Sequence, residues 1–463
     1  MNSLTNKIIV FIGVAVFLLL VLIPAPEGLT PEAKKALAVF ALCLSLWVTV
    51  LLPLAITSIM GIALIPFLNI MPASETYSLF GNTAIFFILG ALMLAAALYK
   101  TGLGTRIAYL LVTRFDENPV RILAGIIITS ALLSCIMPEH AVAAMLFPII
   151  FEIAKSLGLT PLESNFGKAL FLTMAWGAVI GGVTTFLGGA RNLLAVGILE
   201  KNYDMTIGFF EWIVYSFPFS LVLLIIAYIL IIKFFPPEID TVESAFVKLK
   251  EKIEEKGSMS REEKMLLLVF VGVICAWVFF SNYIDISVTS ILGGVLIFVL
   301  DIIDWHDIEE YINWGVILMY GGAIVVATAL TETGAAAWIA ESIFSHVTLT
   351  PFIFIILFAL LTKVLTEGVS NVAAVAIVIP IAFSVGQVIN LNPVAVTLMI
   401  ALPGGLAFCL PMGAPPNAIA FSSGYLNLNE VIKVGLILNA ISVIVIYLVI
   451  KLYWPIIGLK LIL

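Results

Sequence analysis

Three side chains able to carry charge or a proton sit inside apolar runs of this 463-residue chain. Glu139 and His140 lie in Leu133-Ser-Cys-Ile-Met-Pro-Glu-His-Ala-Val142, and Arg191 lies in Gly188-Gly-Ala-Arg-Asn192. In hydrocarbon such groups are expensive, so they pair with one another or line a polar cavity. A guanidinium clamps a carboxylate, sulfonate or phosphate through paired N–H donors. A carboxyl or imidazole can titrate and move a proton. The pattern predicts that Glu139 and Arg191 lie within reach of each other, either around a substrate or as a pair that only pins two segments. Ser370 and Asn371 form a second polar cluster, in Leu365-Thr-Glu-Gly-Val-Ser-Asn-Val372, where a hydroxyl and an amide interrupt another apolar run.

The two clusters share one plan. Aligning Pro148 with Pro380 sets Pro138, Glu139 and His140 opposite Ser370, Asn371 and Val372. Two further pairs recur in the same order: Phe80-Gly-Asn-Thr-Ala84 with Tyr311-Ile-Asn-Trp-Gly315, and Gly188-Gly-Ala-Arg-Asn192 with Gly413-Ala-Pro-Pro-Asn417. The elements that must position these residues follow from length. A span takes about 20 residues. The stretches around the two clusters are too long for one span and too polar at their middles, which a re-entrant hairpin resolves. The Gly and Pro clusters after each hairpin read as broken helices. Unwound backbone at such places offers carbonyls to a cation and helix N-termini to an anion. The Asn417 and Asn371 amides can fix those loops or touch a carboxylate, and Asn192, beside Arg191, joins the candidate substrate set.

Composition sets the class. The chain is 62% hydrophobic and 11% charged, and its mean hydropathy is +1.19. A soluble fold cannot hide that much apolar surface, so the reading is an all-α polytopic membrane protein with about eleven spans and two re-entrant hairpins. The expected division is a helix and loop over 1–34, a first repeat over 35–235 and a polar linker over 236–264, then a second repeat over 265–463. The first repeat holds a hairpin at 120–156 and a broken helix at 168–200; the second holds a hairpin at 350–390 and a broken helix at 393–424. An odd number of crossings per repeat makes the two copies inverted. The run Ile8–Ile23 precedes Pro24-Ala-Pro-Glu-Gly28, a poor cleavage site, and reads as a retained helix. Lys100, Arg106, Arg114, Arg121 and the linker, taken as cytoplasmic, set the N-terminus inside and the C-terminus outside. The linker's alternating Lys and Glu predict a solvated helix.

These motifs resemble the divalent anion/sodium symporter family, which carries dicarboxylates, citrate and sulfate. The likeness runs from about Lys35 to the end and rests most on Thr366-Glu-Gly-Val-Ser-Asn-Val372 and Leu410-Pro-Met-Gly-Ala-Pro-Pro-Asn417. It implies a sodium site of Thr366, Val369, Asn371, Gly413 and Pro415, with Val369, Gly413 and Pro415 giving backbone carbonyls. It implies anion contacts at Ser370, Asn371, Val372 and Pro415, with Val372 standing where the family has a hydroxyl. Of the family's first sodium site Ser134 survives, while Pro138, Glu139 and His140 replace its Ser-Asn-Thr signature and Arg191 stands where it has proline. The resemblance further implies a homodimer in which transport domains slide as elevators against a fixed scaffold. The expected function is sodium-coupled transport of a small anion, most readily a di- or tricarboxylate. Proton-coupled transport or exchange through Glu139, His140 and Arg191 is the alternative, with Arg191 acting as a tethered cation in place of the first sodium.

Other classes fit poorly. There is no basic patch for nucleic acid. No His-Glu-x-x-His spacing and no nucleophile–base pair marks an intramembrane enzyme, so no catalytic residue or cofactor is expected beyond a coupling sodium ion or proton. Cys43, Cys135, Cys275 and Cys409 follow no metal or disulfide spacing and read as small buried residues. Asn82 and Asn313 read as helix–helix contacts, His306 and His346 as solvated, Glu332 as near a helix end, and Lys363 with Glu367 as an ion pair.

Overall fold

A computed structural model describes residues 3–26, 28–49, 51–115, 118–281, 283–312, 314–344 and 350–462. Apart from an isolated bridge between Leu391 and Ile462, the described residues form helices and turns. Six helices among them are long and apolar enough to cross a membrane: Thr83–Thr101, Phe209–Phe234, Trp314–Glu332, Pro351–Gly368, Asn371–Val388 and Leu428–Tyr453. Several others expected as spans are shorter, including Leu54–Phe67 and Ile286–Val299. The outer surface suits lipid. Phe210, Phe217, Leu221, Ile225 and Ile229 stand exposed along the Phe209–Phe234 helix, an apolar face larger than water tolerates on a monomer.

Local chemistry explains where the central helices begin. Pro119, Pro351 and Pro393 each occupy the first helical turn, where a missing N–H costs nothing. Before them, the side chains of Asn118, Thr350 and Asn392 accept from backbone N–H groups of the first turn. The first hairpin runs up Pro119–Ser134 and returns down Glu139–Ser156; the second runs Pro351–Gly368 and Asn371–Val388. Each return arm carries an interior proline, Pro148 or Pro380. The broken helices follow. Asn165–Gly181 stops at a glycine pair and resumes at Ala190–Tyr203; Pro393–Gly404 stops at Gly404-Gly405 and resumes at Pro415–Ser422.

The Asn165–Gly181 helix is the buried axis of the molecule, with Phe166 through Gly181 all buried. It lies against the rising arm of the first hairpin so closely that a Cβ on Gly181 would sit 2.3 Å from the Ala131 carbonyl oxygen. That contact holds the first hairpin tip beside the first helix break.

Several expectations are corrected. The linker helix Glu243–Lys256 is not solvated all round. Val242, Ala245, Phe246 and Leu249 are buried, and the helix packs on Leu103–Val112 and on the first hairpin's return arm. Lys and Glu spacing described only its outer face. Asn82 makes an N-cap, accepting from Ala84 N–H at 2.9 Å, while its Oδ1 also lies against Gly197 of the Ala190–Tyr203 helix without a hydrogen bond to it. Cys275 is exposed, unlike Cys43 and Cys409. Glu332 ends its helix as expected, and His306 is exposed. Asn313 and His346 lie outside the described residues.

Candidate functional site

Both hairpin tips and both helix breaks open onto one cavity of about 480 Å³. Its polar wall holds Glu139, His140, Arg191, Ser370 and Asn371, with Gly413 and Pro415 beside them. The facing wall comes from the Leu54–Phe67, Thr83–Thr101 and Trp314–Glu332 helices. It presents Leu54, Ile88, Ala91, Leu92, Val316 and Met319, all apolar. A space of this size with few convergent polar groups has the character of a small-molecule site.

In the first half, Glu139 and Arg191 meet as the sequence predicts. Arg191 Nη2 donates to Glu139 Oε2 at 3.0 Å, and both side chains are almost wholly buried. Backbone geometry makes the slot. A Cβ on Gly182 would lie 2.6 Å from Glu139 Oε2, one on Gly189 2.6 Å from Arg191 Cζ, and one on Gly405 2.1 Å from Arg191 Nε. The guanidinium therefore rests against both helix breaks at once. Its Nε has no hydrogen-bond partner, and neither has the buried Ser134 hydroxyl. His140 is exposed at the cavity wall.

In the second half the polar side chains at the tip itself are neutral. Thr366 Oγ1 lies 2.6 Å from Asn371 Oδ1 and 2.7 Å from the Gly404 carbonyl oxygen. Asn371 Nδ2 donates to the Gly405 carbonyl at 3.4 Å. A hydroxyl has one proton to give, so this cluster holds more lone pairs than donors. Hard oxygens in that arrangement suit a small cation. Gly413 closes over the cluster, its Cβ position 3.1 Å from the Thr366 carbonyl oxygen. Ser370, Val372 and Pro415 face the cavity, whereas Thr366 and Val369 stand behind the tip, outside the lining.

Asn192 and Asn417 have matching tasks. Asn192 Nδ2 donates to the carbonyls of Gly182 at 3.0 Å and Thr185 at 2.7 Å; Asn417 Nδ2 donates to those of Ala407 at 2.9 Å and Leu410 at 3.4 Å. Both amides are buried and tie down their loops from behind the cavity wall.

Sequence reading missed a second buried clamp and misassigned two of its members. Lys363 and Glu367 do not pair with each other. Lys363 Nζ donates to the Leu406 carbonyl and stands 4.7 Å from the Phe408 ring centroid. Glu367 accepts from the Phe408 N–H at 2.8 Å, from the Cys409 and Leu410 N–H groups at 3.1 Å each, and from Asn439 Nδ2 at 2.6 Å. A carboxylate collecting several N–H donors holds a loop firmly. Asn439, a lone amide in the apolar run Val434–Leu448, was the available signal.

Residues 4–460 match the family described as the sodium:sulfate symporter transmembrane region. The sodium-dependent dicarboxylate transporter SdcS of Staphylococcus saprophyticus is 28% identical over 471 residues, covering 96% of this chain and 90% of that relative. SdcS of Staphylococcus aureus strain USA300 is 28% identical over 473 residues, covering 96% and 91%. Among solved structures, MtrF of Neisseria gonorrhoeae, from a class of antimetabolite efflux pumps, aligns with a TM-score of 0.59 at 15% identity over 99% of this chain and 96% of its own. The YdaH transporter of Alcanivorax borkumensis aligns at 0.54 with 13% identity, over 98% of each chain. At those identities the two structures speak to the fold alone.

Proposed function

The chain belongs to the sodium:sulfate symporter family, and from that membership we propose that it is a secondary active transporter of a small organic anion, a di- or tricarboxylate by preference, driven by sodium. The observation that carries this reading is the single cavity onto which both tips and both breaks open. Thr366, Asn371 and the carbonyls of Val369, Gly413 and Pro415 are the proposed sodium ligands. Ser370, Asn371, Val372 and Pro415 contact the anion, and Arg191, His140 and Glu139 complete its surroundings. Asn192 and Asn417 hold the loops that carry these groups. The sodium-dependent dicarboxylate relatives support both the ion and the substrate class.

The mechanism is an elevator. The two hairpins, the two broken helices and the Phe209–Phe234 and Leu428–Leu448 helices move as a body. The remaining helices form a dimeric scaffold with the N-terminus cytoplasmic and the C-terminus outside, and the repeats lie inverted. An apolar wall opposite a polar one supports sliding, because such a wall makes no hydrogen bonds that must break on each passage. Coupling requires that sodium complete the anion site and that a half-loaded site resist crossing.

A second reading has its own observation: Glu139, His140 and Arg191 share one wall of the cavity, a set able to couple transport to protons or to support anion exchange. One experiment separates the two. The protein is reconstituted into liposomes and uptake of a panel of anions is followed under a sodium gradient and, separately, under a proton gradient. Sodium-driven accumulation of a carboxylate is expected. Accumulation driven by protons alone removes the sodium claim, and transport of cations alone removes the anion claim.

A further inference from the structure

The two halves solve the same electrostatic problem with different material. Ser134 and Glu139 are spaced as Thr366 and Asn371 are, and the matching bonds of Asn192 and Asn417 fix the two breaks in the same way. In the second half Thr366 Oγ1, Asn371 Oδ1 and the Gly404 carbonyl share one hydroxyl proton, and the buried Lys363 ammonium is placed on the Leu406 carbonyl instead. In the first half the equivalent of Asn371 is an acid, and a guanidinium is already on it. Gly182, Gly189 and Gly405 leave room for that ion pair where any side chain would collide with it.

We infer that Arg191 is the resident cation of the first half: its guanidinium, seated on Glu139 between the two helix breaks, does permanently what a sodium ion does at the second-half oxygens. This rests on the transport reading above. It follows that the first half binds no sodium and that all sodium coupling runs through Thr366 and Asn371. Three features carry the inference. The pair is neutral as a whole, so the carboxylate needs no further cation. A sodium ion placed at Ser134 would face a fixed positive charge that cannot be deprotonated. The guanidinium also lies against Gly405, whose carbonyl accepts from Asn371. The resident charge therefore touches the second-half cluster, where an exchangeable ion is expected.

The test uses purified full-length protein in detergent, with sodium chloride as the probe and potassium chloride as the control at matched ionic strength. The readout is the unfolding midpoint as a function of sodium concentration, which needs no knowledge of the anion. For the wild type a sodium-specific rise with a Hill coefficient of about one is expected. Thr366→Val should abolish it. The double variant Glu139→Asn/Arg191→Met removes the resident pair and should steepen the curve toward two ions. A wild-type curve already requiring two ions overturns the inference, as does a sodium rise that survives in Thr366→Val. A double variant that folds with an unchanged one-ion curve also overturns it. If the double variant does not fold, the wild type and Thr366→Val still decide. Absence of any sodium-specific shift in the wild type sinks the sodium-coupled reading itself, an outcome distinct from a two-ion curve.

Discussion

The two helix breaks are near copies in backbone and differ in how their charged side chains are held. Each follows a hairpin whose return arm carries a proline, each stops at glycine, and each is tied by an asparagine amide to two of its own carbonyls. Yet at the first tip a buried acid and a guanidinium bind each other, whereas at the second a threonine hydroxyl and an amide meet and the charged Lys363 and Glu367 are bound separately to the loop behind them. A membrane site must balance the charge that its freed backbone carbonyls attract. On the inference drawn above, the first tip carries its cation on Arg191, while the second takes an exchangeable one at Thr366 and Asn371, beside a Lys363 that is held on the Leu406 carbonyl. The difference teaches that frame and charge are separable. Backbone bonds define the break, and the side chains on the tip decide what fills it.

The largest expected effect breaks the first half only. Glu139→Gln leaves Arg191 buried without a counter-ion. Removing one partner of a buried pair costs about 3–5 kcal/mol. The double variant Glu139→Gln/Arg191→Met should recover more than half of that loss, because no lone charge remains. Chemical denaturation in detergent reads both. Equal losses in the single and double variants would mean that an unpartnered Arg191 carries no penalty of its own. The corresponding change in the second half, Asn371→Leu, creates no unpaired charge and should cost about 1–3 kcal/mol, with its main effect on sodium.

Next in size are the shared staples. Asn192→Leu and Asn417→Leu each strand two buried carbonyls, a loss of about 2 kcal/mol apiece. The comparison requires the two values to agree within about 0.5 kcal/mol, since the bonds match one for one. A staple that costs nothing in one half would show that the frames are not equivalent. Gly405→Ala sharpens the point from the other side. Its Cβ would lie 2.1 Å from Arg191 Nε. Overpacking of this kind costs about 1–3 kcal/mol, and an Arg191→Met background should relieve only part of the penalty, because Val183 Cγ1 would also lie 2.4 Å from the new Cβ.

Much of this frame was legible in the sequence because it is written in residue types with narrow uses. Proline and glycine mark breaks, and a charged residue in an apolar run demands a partner. Hence the hairpins, the broken helices and the approach of Glu139 to Arg191 could be read before any coordinates. The rest depended on direction. Lys363 and Glu367 sit one helical turn apart, which suggested a mutual pair. Each instead reaches across to the 406–410 loop, where carbonyls and N–H groups freed by the break are better partners. The linker's buried stripe, Ala245, Phe246 and Leu249, was hidden by the charges alternating with it. The resting of Arg191 on Gly405 joins segments more than two hundred residues apart, which no local pattern encodes.

The smallest effect is the sharpest test of the contrast. Ser134 and Thr366 are equivalent by the repeat, and both are fully buried hydroxyls. Thr366 Oγ1 touches Asn371 Oδ1 and the Gly404 carbonyl, while Ser134 Oγ touches no polar partner. Replacing an unsatisfied buried hydroxyl by an apolar group of similar shape is close to neutral, so Ser134→Ala should shift stability by less than about 0.5 kcal/mol. Sodium-dependent uptake should then be unchanged. Thr366→Val keeps the shape but removes both contacts, with a cost of about 1–2 kcal/mol and loss of the sodium response. If Ser134→Ala instead weakened the sodium response as much as Thr366→Val, the first-half hydroxyl would be an ion ligand. The two halves would then be alike in charge as well as in frame.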